Sequence, residues 1–264
     1  MAGQLGWRIF EKLKAPGVKM ASEQVNSITK LKSERFTGFC MDSTQGHALA
    51  GALLPDPDRL FATGDPVRSP WQSASTDKVS IRFEEQNYFI KRYNCQGVGY
   101  RIRNLLRPSR ALRSWRNGLH FHQAQLPTVD PLLCLEERFF GFLGRSYIVF
   151  PHLSDAESLL DIWSSLGSRE QKSLLLTLAE TFGRMHRQGI YHGDLNWRNI
   201  LVRKQSEEPR FFLVDLDGCR YQNGYHKKHA RRDLEHFYRD MGRAAVSDDL
   251  VREFRTAWQR VVVA

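Results

Sequence analysis

The segment Ile190–Val202 reads Ile-Tyr-His-Gly-Asp-Leu-Asn-Trp-Arg-Asn-Ile-Leu-Val. Asp194 and Asn199 stand five residues apart in it, and Asp215 follows sixteen residues after Asn199, straight after the apolar run Phe211–Val214. A carboxylate on a turn, an amide oxygen close behind it and a second carboxylate at a strand end suit phosphoryl transfer from a nucleotide. That reaction asks for positioning and charge neutralisation more than for covalent chemistry. Asp194 can orient an acceptor hydroxyl and take up its proton. Asn199 and Asp215 offer the hard oxygen ligands that Mg²⁺ prefers.

The surrounding pattern supplies elements to hold these groups. Ser168–Gln188 predicts a long helix, with Leu174, Leu175, Leu178, Phe182 and Met185 as its apolar stripe, Ser168 and Gln171 as a capping box and Gly189 as its C-terminal stop. Ile200–Val202 and Phe211–Val214 predict two short strands after it, and Asp155–Trp163 another helix. Upstream, Leu60–Thr63, Val79–Phe83, Tyr88–Tyr93, Leu132–Glu136 and Tyr147–Phe150 predict strands. Arg101–Gln125 reads as a loop leading into a basic helix. Leu5, Ile9 and Leu13 suggest a short amphipathic helix, which Pro16-Gly17 ends. Strands come first and helices second, which favours an α+β chain of two lobes.

The pattern HxDxxxxN, followed by an acid after a strand, resembles the catalytic and metal-binding loops of the protein-kinase-like superfamily. The wording YHGDLNWRNILV and then FFLVDLDGCR most resembles the lipopolysaccharide core kinases, the bacterial Kdo/heptose (WaaP-like) family. The resemblance spans roughly residues 60–240. It implies a bilobal kinase-like fold with a small antiparallel-sheet N-lobe over residues 51–150 and a mostly helical C-lobe over 151–264, residues 1–50 forming an extension. It implies ATP and Mg²⁺ as cofactors, Asp194 as catalytic residue, and Asn199 and Asp215 as metal ligands. Lys91, at the end of Tyr88-Phe89-Ile90, is the counterpart of the lysine that contacts the α- and β-phosphates, and Pro151–Leu153 lies where a hinge would meet adenine.

Three departures qualify the resemblance. Asn196 stands where protein Ser/Thr kinases carry a lysine, which points to a sugar or another small-molecule hydroxyl as acceptor. No glycine-rich GxGxxG lies between Leu60 and Lys91, and Thr63-Gly64-Asp65 is the nearest substitute. The helix glutamate that pairs with the strand lysine has no counterpart either. Arg101–Gln125 contains no acid, and its place falls near Ser114.

The formal net charge of +10 predicts attraction to polyanions, and Arg101, Arg103, Arg107, Arg110, Arg113 and Arg116 concentrate part of it. Together with the resemblance this points to a lipopolysaccharide core acceptor and to peripheral contact with an anionic inner membrane, on its cytoplasmic face. Nucleic acid ranks lower, because stacking motifs are not interleaved with the basic residues. Four cysteines without metal-ligand spacing suit a reducing compartment, and no apolar run is long enough to span a bilayer. Two other readings stay open: a soluble small-molecule kinase of the aminoglycoside-phosphotransferase type, and a nucleotide-binding pseudokinase.

Overall fold

The computed structural model describes residues 27–67, 75–95, 97, 99, 105, 107–203 and 211–264. The expected helix at Leu5–Leu13 lies outside them, as do Arg101 and Arg103.

The first lobe is built on seven antiparallel strands: β1 (Ile28–Lys32), β2 (Phe36–Met41), β3 (Asp65–Pro66), β4 (Thr76–Phe83), β5 (Gln86–Tyr93), β6 (Leu133–Phe139) and β7 (Phe142–Pro151). Their spatial order is β1-β2-β6-β7-β5-β4-β3. β4 and β5 form a hairpin in which Lys78 lies opposite Lys91 and Ile81 opposite Tyr88. Alternation buries Val79, Ile81, Tyr88 and Ile90 on one face, while Lys91 and Tyr93 are buried on the other. The sheet reaches back to Ile28, so residues 28–41, set apart in the sequence as an extension, are part of the first lobe's sheet.

Three helices accompany this sheet: α1 (Thr44–Leu53), α2 (Pro57–Phe61) and α3 (Arg110–Gln123). Leu60–Thr63 is not the expected strand. Asp56 accepts a hydrogen bond from Asp58 N–H, and Pro57 occupies the first helical turn, so the segment winds into α2 and leaves through a turn. Gly64 then packs so tightly on β4 that a Cβ there would stand 2.7 Å from Ile81 Cγ2. That packing by itself requires a glycine at this position. α3 begins at Ser109, whose Oγ accepts from Leu112 N–H, and the Ser109 N–H donates to the buried Glu136 of β6. The helix lies against β5, β6 and β7.

The second lobe is mostly helical. Asp155–Trp163 forms a short strand, β8 (Ala156–Ser158), before one helical turn, α4 (Leu159–Ile162), in place of the single expected helix. α5 (Ser168–Arg187) is the long helix, but Gly167 caps it, its N–H donating to Glu170 Oε2 at 2.7 Å. There follow β9 (Ile190–Tyr191), β10 (Ile200–Arg203), β11 (Phe211–Leu213), β12 (Arg220–Tyr221), α6 (Lys227–Arg243) and α7 (Asp248–Val263). Each lobe has its own core, and that of the second gathers around Phe182, Trp197, Phe237 and Phe254, all fully buried.

Phe254 of α7 stacks on Phe237 at 4.9 Å and meets Phe182 of α5 edge-on at 6.1 Å. Phe254→Ala should therefore cost about 3–5 kcal/mol in urea unfolding. A loss below about 1 kcal/mol would show that the second lobe closes over the gap and does not depend on this cluster.

Candidate active site

The turn between β9 and β10 carries the sequence motif, and its backbone needs hydrogen-bond acceptors. His192 and Gly193 turn too sharply to bond within a strand. Gly193 has φ +84°, and a Cβ on it would stand 2.5 Å from the Gly218 carbonyl oxygen, so only glycine fits. Their two N–H groups donate to Asp233 of α6, at 2.8 Å each. Asp233 is 1% exposed. Burial raises its carboxyl, but the hydrogen bond and charge of His186, with His192 and the Gly193 amide, more than offset this and hold it below the ordinary range. His186 Nδ1 accepts from Trp258 Nε1 at 3.0 Å, which leaves Nε2 to face Asp233. Two turns along α6, Asp240 accepts from Trp197 N–H at 2.9 Å.

This scaffold presents Asp194, whose side chain is 56% exposed. Asn196 Nδ2 donates to its Oδ1 at 2.9 Å, and Asn199 Nδ2 to its Oδ2 at 3.2 Å and its backbone oxygen at 2.9 Å. Asn196 Oδ1 accepts from the Arg198 and Asn199 amides, so this residue braces the turn and the carboxylate together. His236 of α6 lies 3.3 Å from Asp194 Oδ1. Tyr191 and Trp197 are buried, in keeping with a packing role.

Asp215 sits just past β11. The Val214 N–H donates to the Asn199 carbonyl oxygen at 2.9 Å, and His192 Nε2 meets the Val214 carbonyl oxygen at 3.0 Å, so both loops are tied at this point. Lys91 of β5 crosses from the other lobe to put Nζ 2.9 Å from Asp215 Oδ1. Burial alone would raise the Asp215 carboxyl, but Lys91, helped by Lys78, holds it at about 2. Burial pulls Lys91 down, and Asp215 outweighs that to keep it charged.

The pairing is one of charge, off hydrogen-bonding angles, and Asp215 Oδ1 is buried with no hydrogen-bond donor. Asn199 commits its Nδ2 to Asp194, which leaves its Oδ1 as an acceptor. The Asp215 carboxylate and the Asn199 side-chain oxygen, on segments tied by the Val214 N–H to Asn199 carbonyl bond, are the kind of hard oxygen ligands that a Mg²⁺ ion takes together with phosphate and water. Among the described residues no cluster of three His, Cys, Asp or Glu side chains could hold a metal unaided.

Ser114 is buried on α3, and among the described residues Asp215 is the acid paired with Lys91. The polar face of α3 turns instead to the loop after Asp215. Arg110 Nε lies 2.5 Å from Asp217 Oδ2, Arg113 Nε donates to the Asp217 carbonyl oxygen at 3.1 Å, and Asn117 Nδ2 to that of Leu216 at 2.5 Å. Arg110 and Arg113 are thus both bonded to the loop after Asp215, and each is partly buried.

A family profile described as "Lipopolysaccharide kinase (Kdo/WaaP) family" matches residues 64–258. The chain belongs to this family. A 3-deoxy-D-manno-octulosonic acid kinase of Pasteurella multocida is 29% identical over 104 residues, 39% of this chain and 42% of that protein. Another, of Actinobacillus succinogenes, is 26% identical over 119 residues, 45% of this chain and 49% of that protein. These alignments span less than half the length of those two relatives. One of Haemophilus influenzae is 23% identical over 194 residues, 66% of this chain and 80% of that protein. A solved structure titled "WaaP in complex with acyl carrier protein" superposes with a TM-score of 0.59 at 19% identity, covering 78% of this chain and 83% of that one. It supports the protein-kinase-like fold that the motif implied for this family member.

Asn199 bonds Asp194 directly and the residue before Asp215 through its carbonyl oxygen, and Lys91 reaches Asp215 from the first lobe. Sequence reasoning missed Asp233, His236 and Asp240, whose helix is so rich in charge that their spacing does not single them out. It also missed Asp217 as the partner of Arg110.

Asp233 generates a pH-dependent expectation. Its carboxyl is lower in the folded state, so its contribution is present above its ordinary value of 3.8 and fades as pH falls through the folded value. Asp233→Asn, which like the protonated acid is a poor acceptor for two amides, should lose about 2–3 kcal/mol at pH 7. In urea unfolding the gap to wild type should narrow at pH 3. A gap of equal size at both pH values would mean the charge of Asp233 is irrelevant.

Proposed function

We propose that the chain is an ATP- and Mg²⁺-dependent kinase that phosphorylates a sugar hydroxyl, of Kdo or heptose, in the lipopolysaccharide inner core. The observation that carries this reading is the Lys91–Asp215 pair at 2.9 Å, which brings a first-lobe cation onto a second-lobe carboxylate beside Asp194 and Asn199. Family membership and the named activity of the relatives agree with it. The lobes would divide at Pro151, where β7 leaves the sheet and nucleotide would lie in the cleft. The pseudokinase reading drew on the absent helix acid, and Lys91 is held charged without one.

Asn199 and Asp215 would hold the metal, whose part is to neutralise charge on the phosphates. Lys91 is already desolvated and cationic, so it can meet the α- and β-phosphates without reorganising. Asp194 projects to solvent with both oxygens steadied by amides. It would orient the acceptor hydroxyl and take its proton as that oxygen bonds to the γ-phosphorus and the bridging P–O bond breaks, with ADP leaving. Peripheral contact with an anionic membrane would use the exposed basic residues of α6, among them Lys227, Lys228, Arg231 and Arg239, with the net charge of +10 behind them. Among the described residues no helix is long and apolar enough to cross a membrane.

Asp194→Asn keeps the shape and removes the base. The variant should unfold at the wild-type temperature and bind nucleotide normally. Phosphate transfer to purified inner-core acceptor should fall about 10²–10⁴-fold. Unchanged transfer would remove Asp194 from the chemistry, and absence of transfer by wild type to any core acceptor would remove the substrate.

A further inference from the structure

The face of α3 that meets the loop 215–218 is unlike a packing surface. Arg110, Arg113 and Asn117 recur at the three- and four-residue steps that align side chains along one side of a helix. They contact consecutive positions: Asn117 the carbonyl oxygen of Leu216, Arg113 that of Asp217, Arg110 the Asp217 carboxylate. The loop they grip begins at Asp215, which holds φ +65°, a left-handed conformation that a non-glycine residue keeps only when its surroundings impose it.

Arg110 is also joined to the rest of the first lobe. Its Nη1 donates to Thr76 Oγ1 at 3.0 Å and Ser75 Oγ at 3.3 Å, and its guanidinium lies over the Tyr93 ring, 4.6 Å from the centroid. One side chain thereby ties β4, β5 and α3 to the acid two residues beyond Asp215. The Asp217 side chain is 13% exposed and that of Arg110 31%, so the carboxylate end of this pair is the better shielded from water. Asn117 is fixed in turn, its Oδ1 accepting from Tyr221 OH at 2.9 Å. Only a planar fork reaches all these partners at once, which a lysine ammonium cannot do.

We propose that Arg110 and Asp217, with Asn117, form a latch through which α3 holds Asp215 in its metal-binding position. A helix without any acid thereby controls the site by gripping the metal loop and leaves Lys91 to Asp215. Resting on the kinase reading above, this makes Arg110 a positioning residue. Its loss should be felt in metal affinity before it is felt in nucleotide affinity.

The test is Mg²⁺ titration of binding to a non-hydrolysable ATP analogue, with thermal unfolding alongside. The variants are Arg110→Gln, Arg110→Lys, Asp217→Asn and the double variant Arg110→Gln/Asp217→Asn. The double variant leaves no buried charge unpaired, so it should stay folded even where a single one does not. The Mg²⁺ midpoint should rise about tenfold or more in Arg110→Gln and in the double variant, with metal-free analogue affinity unchanged. The double variant should be no worse than the sum of the singles, and Arg110→Lys should fall between them and wild type. A wild-type midpoint in a folded double variant would overturn the latch, even with a lowered unfolding temperature, because the pair would then serve only stability. Wild-type protein whose analogue binding ignores Mg²⁺ would overturn the kinase reading and the latch together.

Discussion

Two backbone amides, one buried and one half-buried, set the terms for the rest of this site. His192 and Gly193 make a turn too tight for either N–H to bond in a strand, and an unpaired buried amide costs on the order of 1–3 kcal/mol. Asp233 answers both. The answer brings its own demand, a buried charge, which His186 and Trp258 help to meet. One turn of backbone therefore fixes α6 beside it, then α5 through His186 and α7 through Trp258. Asp194 is exposed because everything behind it is tied down.

The charges around the loops are matched by opposite signs drawn from different lobes. Lys91 and Arg110 belong to the first lobe, and Asp215 and Asp217 to the second. Neither lobe is self-sufficient in charge at this boundary, so the cleft is held by the groups that would carry its chemistry. Basic residues that looked like spare surface charge in the sequence turn out to be spent here.

The sequence made the contiguous parts legible. β4 stands where apolar and polar residues alternate, β5 where an apolar run meets Lys91, and α5 where leucines recur at helical spacing, because each pattern is local. The motif residues were readable because a turn and two short strands bring them together within a few residues. Asp233 and Asp240 were not, since they lie about forty residues downstream in a helix rich in charge, and nothing local distinguishes a buried acid from a solvated one. The fate of Arg110 and Arg113 was hidden for the same reason, their partner lying some hundred positions away. Leu60–Thr63 failed on a local signal, as the capped Asp56-Pro57 start outweighed a short apolar run.

The spacing of Asp233, His236 and Asp240 has a consequence for how this protein can change. The three contact His192–Gly193, Asp194 and Trp197 from one side of a continuous helix. Each residue advances a helix by about 100°. Replacing an outward residue such as Glu235 or Arg239 leaves that arrangement intact. Inserting or deleting a single residue between 233 and 240 swings one contact to the far side of the helix while the other stays put. Descendants of this chain are thus free to recolour the helix surface but not to alter its length there, and any loop grafted onto this scaffold inherits the same fixed ruler.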